Sequence, residues 1–165
     1  MLATRKSGGS FMDYPEYQSD LQRIHESEVY GIALFGTAAS VTRNPDRKQK
    51  WLALKALEEA TLERYLVHMR DTGQRIRQPR GWVMKGRVEG AALGAMPWPM
   101  AMKLLGDGTA DFQEKFLRLK QHAPEAYRPF FDYVYAHEKA IEAFAHKERA
   151  KDPASLKAVH TLLVR

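Results

Sequence analysis

The chain has no cysteine. Disulfides, zinc–thiolate sites, iron–sulfur clusters and cysteine nucleophiles are all excluded. No stretch approaches the roughly 18 consecutive apolar residues of a membrane-spanning helix. The longest weakly polar run, Gly90 to Met102, is too short and contains Pro97 and Pro99. The first residues, Met1 to Ser10, carry charge but lack the apolar core of a secretory signal. They are expected to form a flexible leader, residues 1–13, before one domain at residues 14–165. Strand-like alternation is missing throughout, and no internal repeat is visible. These absences set three expectations: an all-α fold, no membrane partner and a cytoplasmic location.

The 165 residues suit a single domain with a substantial core. A hydrophobic content of 44% argues against overall disorder. The net charge is +6, and basic residues gather at Arg75, Arg77, Arg80, Lys85 and Arg87. A solvated crossover loop is the preferred reading of that run. A nucleic-acid partner ranks last, because no recognition-module signature accompanies the charge.

Helical periodicity organises the rest. Tyr14 to Thr42 reads as a first helix, with Tyr17, Leu21, Ile24, Ile32, Phe35 and Ala39 on one face. Gly31 and Gly36 lower its propensity but permit close approach by a neighbour. Asn44-Pro45-Asp46 signals a turn, with Asp46 as the cap of a second helix to Arg70. Its stripe is Trp51, Leu54, Leu62, Tyr65 and Met69. After a polar connection, a third helix is expected from Trp82 to Leu105, interrupted near Pro97. Gly86, Gly90 and Gly94 share one of its faces and suit close packing, including against a second subunit. Gly106-Asp107-Gly108 reads as a break, with Thr109 or Asp111 capping a helix to His122. A last long helix runs from Pro124 or Glu125 to about Lys151, followed by a short one capped near Asp152.

Three glutamates interrupt the apolar stripes: Glu28, Glu58 and Glu138. An isolated ionised carboxylate in a low-dielectric interior is very unfavourable. Three of them on three helices point to a shared internal site that holds a metal or trapped protons. His25 and His137 flank two of them. Glu59, Glu63, Glu89 and His68 are left without an assigned role.

Ile24-His25-Glu26-Ser27-Glu28-Val29-Tyr30-Gly31 resembles the first-helix His-x-x-Glu-Val-x-Gly stretch of the demethoxyubiquinone hydroxylase family. Leu57 to Leu66 resembles a second-helix glutamate motif. Tyr135 to Phe144 resembles the last-helix motif of ferritin-like proteins, which include the rubrerythrins. The resemblance implies a ferritin-like four-helix bundle with short additional helices, and Glu28 as an iron ligand. It also implies a di-metal centre of Fe or Mn that acts on oxygen or peroxide. The usual Glu-x-x-His pairs are missing: Thr61 follows Glu58 and Ile141 follows Glu138 at that spacing. The expected metal ligands are therefore Glu28, Glu58, Glu138, His25 and His137. An apolar pocket around Phe35, Leu62 and Ile141 would admit a small substrate. The alternative is a metal-free bundle, serving as a ligand-binding protein or a homodimeric interaction protein, whose carboxylates share protons or pair with His25 and His137.

Overall fold

The computed structural model describes residues 14–165; the expected leader, residues 1–13, lies outside the described residues. The helices are α1 (Tyr17–Val41), α2 (Pro45–Asp71), α3 (Trp82–Ala95), α4 (Trp98–Gly108), α5 (Ala110–His122), α6 (Arg128–Arg149) and α7 (Lys157–Leu163). A 3-10 turn at Glu125–Tyr127 leads into α6. No strand occurs among the described residues, and the protein is all-α.

Local chemistry explains most boundaries. Asn44, rather than Asp46, caps α2: its side-chain oxygen accepts from the Arg47 amide at 3.0 Å. Pro45 takes the first helical position, where its missing N–H is no loss. Asp46 then sits in the first turn and favours the helix dipole. At the other end, Gln74 N donates to Met69 O at 2.9 Å and Gly73 N to Arg70 O at 3.1 Å. Gly73 adopts φ 65°, which completes a Schellman motif. Met96 is extended, as the residue before a proline is driven to be, and it separates α3 from α4. The break expected at Gly106-Asp107-Gly108 falls later. Here α4 runs through Gly108, and the chain turns at the single residue Thr109. Similarly, Asp152 begins a turn rather than a helix, since its side chain accepts from the Ala154 amide at 2.8 Å.

Three long helices, α1, α2 and α6, carry two apolar clusters. Leu21 and Ile24 meet Tyr65, Met69, Phe131 and Val134, closed over by Phe116 and Leu119 of α5. Farther along, Phe35 and Ala38 meet Trp51, Leu54, Ile141 and Phe144, closed over by Met102 and Leu105 of α4. This pairing makes α2 antiparallel to α1 and α6 parallel to it. Between the clusters the same three helices bury Glu28, Glu58, His137 and Glu138. The protein thus has two apolar half-cores with a polar layer between them.

The glycine face of α3 is filled from within the chain. A Cβ on Gly86 would stand 2.5 Å from Tyr30 O, and one on Gly90 would stand 2.2 Å from Leu34 O. Backbone therefore lies directly on the backbone of α1. Two ion clusters tie the outer helices down. Arg118 grips buried Asp20 through Nε at 2.9 Å and Nη2 at 2.8 Å, joining α5 to α1. Glu148 accepts from Trp98 Nε1 at 2.9 Å and from Lys50 Nζ at 2.6 Å, joining α6, α4 and α2.

Gly90→Ala should lower stability by about 1–3 kcal/mol in urea melts, because the added methyl must push α3 off α1. Gly106→Ala is the control. Its new Cβ would meet only the Ala145 Cβ at 3.5 Å. Stability there should hold or rise by up to about 1 kcal/mol from improved helix propensity. Equal losses in both variants would mean that the α1–α3 contact is not what the glycines serve.

Candidate metal centre

Glu28 comes from α1, Glu58 from α2, and His137 with Glu138 from α6. The imidazole of His137 lies between two carboxylates. Its Nδ1 is 3.6 Å from Glu28 Oε1 and its Nε2 is 3.2 Å from Glu58 Oε2. One donor atom from each of Glu28, Glu58 and His137 lies within 4.8 Å of the other two. Donors facing each other across an ion with bonds of ~2.1 Å stand about 4.2 Å apart. A small contraction would therefore place all three on one ion.

Beyond this mutual approach the donors have few partners. Both oxygens of Glu28, Oε2 of Glu58 and both ring nitrogens of His137 are buried and make no well-aligned hydrogen bond among the described residues. Buried polar atoms are nearly always bonded, so five at a single point without a well-aligned hydrogen bond mark this cluster as a candidate ion site. Gly31 shapes the cradle. A Cβ there would fall 2.3 Å from Glu58 Cδ and 2.4 Å from its Oε1. The carboxylate of Glu58 occupies the notch that the missing side chain leaves in α1.

The sequence placed three glutamates at one point. The structure instead converges Glu28, Glu58 and His137, and sets Glu138 one step aside. Ser27 Oγ donates to Glu138 Oε1 at 3.1 Å and holds it there. His25 does not join the group. Its Nδ1 donates to Arg77 O at 3.0 Å, and its ring leans on Tyr65 with centroids 5.1 Å apart. His68 stacks on Phe130 at 4.3 Å, away from the site. Thr61, standing where a second histidine was sought, spends its hydroxyl on Leu57 O at 2.9 Å. Glu59 and Glu63 are exposed. Ser27 was missed because its role depends on a partner 111 residues away. Gly31 was visible only as a place of close approach.

Crowding shifts the protonation of the group. Burial pushes the Glu28 carboxyl well above the usual range, and the charges of Glu58 and Glu138 push it further. Burial raises Glu138 to about 7, against the opposing pull of His137. For His137 burial works downward, but the charge of Glu58 outweighs it and the imidazole is raised. Without an ion, the cluster lowers its charge by holding protons. A divalent cation would take their place.

A cavity of about 480 Å³ reaches Ser27, Gly31, Glu58 and Glu138 at its inner end. Phe35, Leu93, Leu105 and Ile141 form apolar walls, and Trp82 and Lys85 line it as well. The expected pocket residue Leu62 does not take part; it packs with the Tyr65 half-core. Glu89 lines the same cavity and accepts from the Tyr30 hydroxyl. Comparisons with protein-family models, curated proteins and solved structures find no match to this chain.

Raised folded-state values for Glu28, Glu138 and His137 all have one sign. Each contributes stability that is present below its unfolded value and is lost as pH rises through the folded one. Chelator-treated protein should therefore lose a few kcal/mol between about pH 5 and about pH 8. Glu28→Gln should flatten that slope and stabilise the chelated protein at the alkaline end. A slope unchanged by the substitution in pH-dependent urea melts would contradict the crowding described here.

Proposed function

We propose that the chain is a ferritin-like bundle that holds a redox-active divalent ion, Fe or Mn, in its polar layer and uses it on oxygen or peroxide. The observation that carries this reading is the convergence of two buried carboxylates and one buried imidazole, whose five donor atoms face one another without a well-aligned hydrogen bond. The Gly31 notch supports it, since it makes room for a carboxylate at the cost of helix propensity. The ferritin-like arrangement is supported by the antiparallel α1–α2 hairpin and the parallel return of α6. In that arrangement α3 to α5 replace the fourth helix.

Two carboxylates and one imidazole are mostly hard donors, which suit Fe or Mn rather than a thiolate-seeking ion. Three side chains supply one ion more naturally than two. The second histidine of a paired centre has no counterpart, with Thr61 bonded to its own helix and Ile141 in the cavity wall. When bound, the ion would supply electron transfer to an oxygen species. The protein's own groups do the rest. Glu28, Glu58 and His137 hold, while Ser27 orients Glu138. Glu138 can keep or release a proton near neutral pH. The apolar walls would admit a small apolar molecule beside Glu58 and Glu138.

A second reading is a metal-free bundle whose carboxyls retain protons and whose cavity takes a ligand. The raised Glu28 carboxyl favours it. Elemental analysis separates the two. Protein made with ample Fe and Mn should carry about one ion per chain, and Glu58→Ala, His137→Ala and Gly31→Ala should each lose it. A wild-type chain free of Fe, Mn and Zn under those conditions would establish the second reading instead. In that case Glu58→Leu should raise the melting temperature.

A further inference from the structure

The basic run noted in the sequence has no part in the metal reading. The structure divides it. Lys85 lies on α3 over the rings of Trp82 and Tyr30, at 4.9 Å and 5.2 Å. Arg75 and Arg77 belong instead to the segment 74–80, which runs as a strap along α1. Gln18 Nε2 donates to Gln74 Oε1 at 3.2 Å, and Gln74 Nε2 donates to Tyr17 OH at 2.8 Å. Gln22 Nε2 donates to Arg77 O at 3.3 Å, and His25 Nδ1 to the same carbonyl at 3.0 Å. The strap is thus pinned through its backbone and Gln74, while the two arginine side chains are left uncommitted.

Arg75 and Arg77 both border one hollow of about 300 Å³, between the strap, α1 and α2. Gln18, Ser19, Gln22 and Arg23 line it from α1. Leu21, Met69 and Tyr65 are the buried residues beneath. Neither Arg75 nor Arg77 has a side-chain ion pair or hydrogen bond among the described residues. The Tyr65 hydroxyl is fully buried and also unpartnered. Glu26 is the one carboxylate in the lining, and Arg23 binds it at 2.8 Å. The hollow therefore keeps a net positive charge, with amide and hydroxyl donors around it.

We infer that the hollow beneath the 74–80 strap binds a small organic oxyanion, a carboxylate or a phosphate monoester, gripped by Arg75 and Arg77. The guanidinium fork matches either head group with paired hydrogen bonds. Leu21 and Met69 suit a short carbon portion. A polynucleotide would need a continuous basic stripe. Here only Arg23, Arg75 and Arg77 share the concavity, and the rest of the run lies elsewhere.

The test is calorimetric titration of the full chain with inorganic phosphate and, separately, with succinate, at constant ionic strength. It is run on metal-loaded and on chelated protein, so that its outcome is independent of the metal reading. One probe should bind saturably with Kd below about 1 mM; which one does so identifies the head group. Arg75→Gln with Arg77→Gln should weaken binding by about a hundredfold. Arg80→Gln with Arg87→Gln removes the same charge outside the hollow and should change it by less than about threefold. Circular dichroism should be the same for both pairs. The inference fails if neither probe saturates, or if the two pairs weaken binding equally. Oligonucleotide binding reduced equally by both pairs would likewise overturn it, and would assign the surface to nucleic acid.

Discussion

Charge that cannot escape to water governs this bundle. Three helices bring Glu28, Glu58 and His137 to the same depth, where ionised groups lose most of their hydration. Nothing in the surrounding apolar shell can repay that loss. The two half-cores could pack as one if leucines stood in the layer, and a sequence selected for stability alone would place them there. Glu58 persists in a notch shaped by Gly31, and the cavity leads to it. Packing, protonation and the proposed chemistry all descend from that one unfavourable arrangement.

Not all buried charge in the protein is of this kind. Asp20 is gripped by both arms of Arg118, and Glu148 is shared by Trp98, Lys50 and Ser155. Those carboxylates are saturated with partners, and each ties helices together near the outer reaches of the bundle. The contrast is informative. The chain has the means to satisfy a buried carboxylate with several partners, yet in the central group Glu28, Glu58 and His137 face only one another. The saturated sites act as fasteners, and the less saturated group is the one to which the proposed ion is assigned.

The sequence carried the helices, the hairpin and the depth of the three glutamates, because a repeat near 3.6 residues marks which side of a helix is buried. It did not carry the partner of each buried group. His25 and His137 looked equivalent beside their glutamates, yet the strap claims one ring and the polar layer receives the other. The difference lies in the Arg77 carbonyl, 52 residues from His25, which no local pattern encodes. Leu62 failed as a cavity residue for a similar reason: its stripe is right, but it belongs to the other half-core. Gly106 and Gly108 misled because glycine is tolerated in the last turn of a helix, and Thr109 alone makes the bend. The glycine face of α3 was legible as a contact surface, though not that α1 would be the element to use it.

Dividing one core into two has a consequence for how order spreads through the molecule. Cooperativity requires that loosening one part withdraw support from the next. Past the polar layer run the helical backbones, the α3 contact, the packing of Val159 and Leu162 of α7 with Tyr133, and Phe112 at the cavity wall. The Tyr65 half and the Trp51 half are therefore coupled around the rim of the bundle rather than through its centre. An ion clamped among α1, α2 and α6 would add a central tie to that rim, so that occupancy would tighten the coupling between the halves as well as raise stability.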